Sequence, residues 1–397
     1  MLRPAWRATP LALALVTAVV FAPVLRGGFV DWDDPINFLE NPYYRGLGWR
    51  QLRWMLTANV MGHWIPVTWL TLGADFAVWG MNPFGYHLTN LLLHTVSAVV
   101  FYLVSRRLLG LATPAASPGV LSLGAAAAAL AFAVHPLRVE SVAWITERRD
   151  LTSGLFFLLS ILAYLKAHER PPAVRASFRL AALAAAALAL ASKSIVMGLP
   201  LVLLILDAYP LRRLGPRVRD WWSAQAWPVW REKIPFALLA VGTAAAAYLV
   251  QRSTGYLTPV DPVSRIGMVA YNVWFHFWKT VAPLNLGPIY ELPARVNPLE
   301  PPYLLCAAGA LAITAAVWLL RRRWPAGLAI WTFYLVMLAP VTVLHLPDPA
   351  DLAAGIFGAE RAAELLQEAD AIPRAQVIAE VLAALPPTAD AALDVAG

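Results

Sequence analysis

Cysteine is all but missing from this chain. Cys306 stands alone among 397 residues, so no disulfide can form within it, and its place inside an apolar run says nothing about redox compartment. Charge is scarce as well: Asp, Glu, Lys and Arg make up 14% of the residues, against about a quarter in an ordinary soluble domain. No internal repeat of about 20–50 residues is present, which sets solenoid architectures aside. What fills the chain instead is apolar. Hydrophobic residues reach 59%, gathered into runs approaching the roughly 20 residues a helix needs to cross a bilayer. The pattern reads as an all-α polytopic membrane protein.

The net charge of +7 conceals an asymmetry. Residues 347–397 carry nine acids against Arg361 and Arg374, a balance of −7 that leaves +14 in the body. The body's excess lies in short loops, where it orients helices; nothing in it points to nucleic acid. Two domains follow: a membrane domain over 1–346, and an acidic, Ala/Leu-rich tail over 347–397 that is soluble or weakly ordered.

Apolar runs near 10–25, 88–109, 119–134, 151–167, 179–192, 195–210, 233–250, 302–320 and 327–346 read as spans, and the first is expected to remain as an uncleaved helix with its N-terminus in the cytoplasm. Arg106-Arg107, the stretch from Lys166 to Arg179 and Arg212 through Arg219 are the basic connections. Counting positive charge inside then gathers 27–86, 135–150, Lys193 and 251–264 on the outer face. Within 27–86, residues 49–58 and 67–80 suggest interfacial helices, and Trp64, Trp69 and Trp79 suit an interfacial belt. Segment 265–284, with His276 and Lys279 among aromatic residues, is expected to be re-entrant or interfacial, because that keeps Arg321–Arg323 in the cytoplasm. The bundle then has about nine or ten transmembrane helices.

Polar residues that persist in such a chain are candidates for function. Asp31, Asp33 and Asp34 place three carboxylates within four positions at a membrane edge. A carboxylate there can take a proton from an attacking hydroxyl, or the trio can hold a divalent cation; an ordinary solvated turn is the plain alternative. His87, Asn90 and His94 share one helix face, where interhelical hydrogen bonding is the plain alternative and the preferred one for His94. His63 precedes Trp64-Ile65-Pro66. His135, Arg138 and Glu140, followed by Glu147-Arg148-Arg149-Asp150, form the densest outer loop. Arginine forks suit phosphate oxygens, and an ion-paired surface loop is the plain reading. Lys193, between two apolar runs, either snorkels to the interface or binds an anionic head group.

Longer motifs make the pattern specific. Phe29-Val30-Asp31-Trp32-Asp33-Asp34, Gly62-His63-Trp64-Ile65-Pro66, Tyr86-His87-Leu88-Thr89-Asn90, His135-Pro136-Leu137-Arg138-Val139-Glu140-Ser141, Glu147-Arg148-Arg149-Asp150, Lys193, Leu206-Asp207-Ala208-Tyr209-Pro210, Trp278-Lys279-Thr280 and Tyr290 together resemble the bacterial relatives of the transmembrane and tetratricopeptide-repeat (TMTC) O-mannosyltransferases, over about residues 10–345. The resemblance implies a GT-C glycosyltransferase fold in the inner membrane. It also implies a polyprenyl-phosphate sugar as donor, a protein or glycan hydroxyl as acceptor, and transfer with inversion on the periplasmic face. The family's essential carboxylate maps to Asp33-Asp34, with Asp31 as a supporting charge. Arg148, Arg149, Lys193 and Lys279 would hold the donor phosphate, and His63, His87, Asn90, His135, Arg138, Glu140, Asp150 and Tyr290 would support them. A divalent cation on Asp31, Asp33 and Asp34 stays open. The likeness stops near Val343, so a shortened member is expected, and a scaffold without activity is a competing reading. A transporter or flippase of a lipid-linked solute is another, disfavoured by the long first loop with no counterpart later in the chain.

Overall fold

Proline sets most of the helix starts. Seven helices open on one, at Pro66, Pro83, Pro118, Pro172, Pro262, Pro301 and Pro325, where the missing N–H has no intrahelical partner to lose. Two of them are capped in addition, by the Asn82 side chain accepting from Phe84 N at 3.1 Å and by Ser117 accepting from Val120 N at 3.4 Å. The computed structural model describes residues 8–215, 217–253, 262–287, 290 and 296–343; the acidic tail lies outside them. All of them but Ser253 belong to a unit formed by Met1–Arg252 and Asp261–Leu344.

The helices run α1 (Thr9–Phe21), α2 (Trp49–Thr57), α3 (Pro66–Trp79), α4 (Pro83–Ala112), α5 (Pro118–Ala133), α6 (Arg138–Ala143), α7 (Arg148–Glu169), α8 (Pro172–Leu190), α9 (Leu199–Ala208), α10 (Trp227–Ser253), α11 (Pro262–Val281), α12 (Pro301–Leu319) and α13 (Pro325–Val343). Among the described residues there is no strand, only an isolated bridge between Val60 and His63. Six helical segments are long and apolar enough to cross a membrane: Thr9–Arg26, α4, Ile145–Glu169, α8, Trp227–Val250 and α12. Ser194–Ala208, α5 and Pro325–Pro340 are shorter apolar helices. As far as the described residues reach, the apolar runs read as spans are therefore helical over most of their length. The run expected to start at 179 starts at Pro172 instead, because its first two turns carry Arg175 and Arg179 and are helical without being apolar.

Small residues bring the central helices together. Ala125, Ala129 and Ala133 of α5 are fully buried, as are Ala182 and Ala189 of α8, and such positions let backbones approach where lipid gives no hydrophobic drive. Ser160 on α7 donates to Ala182 O at 2.8 Å, and Tyr102 on α4 pairs with Ser122 on α5 at 2.7 Å. The segment between α1 and α4 has an aromatic core of Phe38, Tyr44 and Trp69, which packs with Tyr86 of α4 and with Ile145. Trp69 is 1% exposed, so it is a core residue and not part of an interfacial belt. The stretch expected to be a re-entrant or interfacial helix is helical, as α11, and Tyr334 of α13 donates to Val273 O at 2.6 Å.

One buried ion pair fixes α3, α4 and α7. Arg148, 0% exposed, places Nη1 2.7 Å from Asp75 Oδ2. Its Nε donates to Asn90, and its Nη2 donates to Tyr86 O at 2.7 Å. Thr89 donates to the other Asp75 oxygen at 2.6 Å. Removing one partner of such a pair strands a buried charge, at a cost of about 3–5 kcal/mol. Asp75→Asn and Arg148→Met are each expected to lower thermal stability in detergent by about that much. The double variant Asp75→Leu/Arg148→Met should recover part of the loss, and a fully additive double would contradict the pairing.

Candidate functional site

The acidic knot folds onto the turn that precedes α7. Gly27 permits the approach: a Cβ there would lie 2.9 Å from His87 Nε2, and His87 reaches Gly28 O at 3.3 Å. Beyond it Asp34 turns back on the chain, its Oδ2 accepting from Val30 N at 2.8 Å. Its Oδ1 accepts from Trp144 Nε1 at 3.0 Å and Thr146 Oγ1 at 2.6 Å. Thr146 in turn accepts from Asn37 Nδ2 at 3.2 Å. Asp34 is wholly buried and both its oxygens are occupied; it pins two segments 110 residues apart.

Asp33 is placed differently. It is half-buried, and burial raises its carboxyl above the ordinary value of 3.8. The Arg149 charge opposes that rise, while Glu147 and Asp34 add to it. Asp31 is exposed, as is Trp32, which packs edge-on against Trp144 at 5.4 Å.

Four charges line the start of α7. Glu147 Oε1 accepts from Arg149 Nη2 at 2.5 Å and Nε at 3.1 Å, and Glu147 Oε2 from Lys193 Nζ at 3.1 Å. Lys193 also lies 2.6 Å from Asp150 Oδ1. His63 faces a small cavity that Arg149, Thr146 and Asn37 also line. Burial first, then the Arg149 and Lys193 charges, push its imidazole down to about 4, so it is neutral near pH 7. Glu140 is exposed on α6; desolvation and the Glu147 charge raise its carboxyl, against Lys193 and Arg149. Arg138 covers the Phe132 ring at 5.0 Å, and Asp150 acts on its charge.

These positions divide the sequence candidates. Asp33, Glu140, Arg149, Asp150, Lys193 and His63 come together. Arg148 does not join them: it is enclosed with Asp75, Asn90 and Tyr86, so it has no free face for a phosphate. Asn90 is likewise spent, accepting from Arg148 and donating to Val142 O at 3.2 Å. His94 Nε2 donates to Ala133 O, 2.8 Å away, as a packed interhelical contact. Lys279 closes the end of its own helix on Leu284 O and Asn285 O, at 2.7 and 2.8 Å, and lies 5.0 Å from the Tyr290 ring centre. His135 touches that helix end through Thr280 O at 2.9 Å. Asp31, Asp33 and Asp34 do not assemble as cation ligands, since Asp34 has both oxygens bonded; among the described residues no group of three or more His, Cys, Asp or Glu is arranged to hold a metal.

Sequence reasoning passed over Asp75, Trp144 and Thr146, and it noted Glu147 only within its motif, with no role. Asp75 left a signal, as the lone acid in an otherwise apolar helix. Trp144 and Thr146 left none, because an indole and a hydroxyl beside a short helix look like ordinary packing until the distant carboxylate is placed against them.

No family model matches the chain, and no solved structure matches it. Curated proteins do. Over 154 residues it is 34% identical to the protein O-mannosyl-transferase Tmtc1 of Drosophila melanogaster, a match covering 37% of this chain and 17% of that protein. Over 101 residues it is 40% identical to TMTC2 of Mus musculus, covering 25% and 11%. Over 179 residues it is 35% identical to TMTC4 of Homo sapiens, covering 42% and 24%. The matches span no more than 24% of these relatives' lengths, and in that shared part this helical, membrane-type chain is similar to the TMTC protein O-mannosyl-transferases.

Proposed function

We propose that this chain is a membrane glycosyltransferase of the GT-C type. It would move a sugar, mannose by analogy with the names of its relatives, from a polyprenyl-phosphate carrier to an acceptor hydroxyl at the periplasmic face of the inner membrane. The N-terminus would lie in the cytoplasm. The observation that carries this reading is a half-buried carboxylate, Asp33, that feels the charge of Arg149, the cation that Glu147 joins to Lys193. A base beside paired cations suits a reaction that takes up a proton on one side and releases an anion on the other.

The acceptor oxygen would attack the anomeric carbon from the face opposite the phosphate. As the new C–O bond forms, Asp33 accepts the hydroxyl proton and the bond to the phosphate oxygen breaks, inverting the centre. Arg149 and Lys193 stabilise the charge on the departing phosphate. Asp34 acts through position: its bonds to Trp144 and Thr146 hold the Asp33 loop against the start of α7. Lys279, tied to its own helix end, stands by as a further cation near His135. No step is routed through a metal ion.

A radiolabelled polyprenyl-phosphate mannose and peptide acceptors, presented to the purified protein in lipid, test this directly. Asp33→Asn is expected to lower kcat by about 10²–10⁴-fold, the range of a lost general base. If transfer occurs and Asp33→Asn reduces it less than tenfold, Asp33 is not the base. Thr146→Val and Trp144→Phe each leave a buried carboxylate oxygen short of a donor, at about 1–3 kcal/mol. They should lower the thermal midpoint as well as the rate, whereas Asp33→Asn should lower the rate alone.

The pH profile gives an independent check. Asp33 must be ionised to accept a proton, so kcat/KM should fall as pH drops through its pKa, at a midpoint above the ordinary 3.8. Arg149→Gln removes a charge that lowers that pKa, so the residual activity should show its acidic limb displaced to higher pH. An unmoved limb would separate Asp33 from the titration.

A further inference from the structure

The two cations that the proposed function assigns to the departing phosphate are not idle. Both are held by Glu147, whose side chain is 7% exposed. One of its oxygens sits in the fork of Arg149, at 2.5 and 3.1 Å, and the other lies 3.1 Å from the Lys193 ammonium. Asp150 takes a further share of Lys193 at 2.6 Å. Two cations therefore face two carboxylates, and the cluster is formally neutral before a ligand arrives.

A carboxylate gripped through both oxygens by a guanidinium fork and an ammonium offers the same contacts as two non-bridging oxygens of a phosphate. We propose that Glu147 is a stand-in anion: it occupies the phosphate position while the site is empty, yields it to the phosphate of the donor, and takes it back to expel the polyprenyl phosphate. This rests on the proposed function and adds a release device to it.

Charge explains why such a device is useful. The donor is a phosphodiester with one negative charge. When its bond to the anomeric carbon breaks, the carrier keeps the oxygen and becomes a phosphomonoester, whose second ionisation lies near pH 6 and takes its charge toward −2. Bare cations in a poorly solvated pocket would therefore hold product more tightly than substrate. An internal carboxylate that competes for the same donors weakens both, and it also spares the empty site two unpaired cations. The backbone beneath Glu147 is fixed, since Thr146 and Trp144 bond to Asp34, so only the side chain has to exchange partners.

The test is made on the full chain in lipid nanodiscs, measuring binding of polyprenyl phosphate beside steady-state transfer. Glu147→Gln keeps the shape and removes the charge. It is expected to bind polyprenyl phosphate about tenfold more tightly, and to lower kcat and the donor KM together because product leaves slowly. Glu147→Asp, too short to span both cations, should shift both values the same way by a smaller factor, and it carries the test if the glutamine variant does not fold. Weaker product binding with a raised KM in a folded variant would make Glu147 a brace for the cations and overturn the proposal. If the folded wild-type protein neither binds polyprenyl phosphate nor transfers from its sugar-linked form, the proposed function fails first and this inference with it. Intact wild-type transfer with unchanged product affinity in Glu147→Gln removes this inference alone.

Discussion

The site depends on an ion pair that takes no part in it. Arg148 is sealed between α3, α4 and α7 on Asp75, Asn90 and the Tyr86 carbonyl. In so apolar a surrounding an unpaired guanidinium is costly, so the three helices are obliged to meet where all these partners can reach it. Once Arg148 points inward, its neighbours have no choice. Successive helical residues are turned by about 100°, so Arg149 and Asp150 emerge on other faces, toward Glu147 and Lys193. The inward arginine is the reason the next one is presented outward.

The two aspartates show the same division between holding and acting. Asp34 is buried, with a backbone amide, an indole and a hydroxyl all donating to it; a carboxylate so committed is well suited to joining two segments and poorly suited to leaving its partners for a proton. Asp33 keeps an open side and feels Arg149. Asp33, the proposed base, stands one residue before the anchor, which fixes its backbone without spending its oxygens. The half-buried setting matters in its own right, since a carboxyl raised by desolvation is a better proton acceptor than one at the water-exposed value.

The sequence made the fold class and nearly all helix positions legible, because apolar runs of membrane length have few other solutions. It was less informative wherever polarity and packing part company. Trp69 suited an interfacial belt by type and is a core residue. The start of α8 was hidden because its first turns carry arginines. For the site, the cluster's location was readable and its internal assignments were not. Arg148 and Arg149 are indistinguishable as letters, and so are Asp33 and Asp34. Only the direction each side chain takes from its helix or turn separates them, and that direction is set by distant partners such as Asp75 and Thr146. Sequence spacing carries no record of these.

The opposite end of α7 follows the same physical logic. There Tyr164 donates to both oxygens of the buried Asp207, which also faces Lys233 at 2.5 Å and Arg213 at 2.8 Å. Glu232 adds Arg213 at 2.8 Å and Arg179 at 2.5 Å. Between the two charged ends the helix is mostly apolar: Leu155, Leu158, Ile161, Leu162 and Leu165 share a core with the α8 alanines, and Ser160 donates to Ala182 O. Packing of small residues sets distance well, but it resists sliding and rotation weakly because its contacts are non-directional. Directional, charge-assisted bonds at both ends add to the single Ser160–Ala182 bond described for the middle. On this view the polar residues at the two ends of α7 serve a shared purpose before any chemistry: they fix the rotation of the helix that presents Arg149. The end bearing Asp33 adds one thing to this, a half-buried carboxylate with a side to spare.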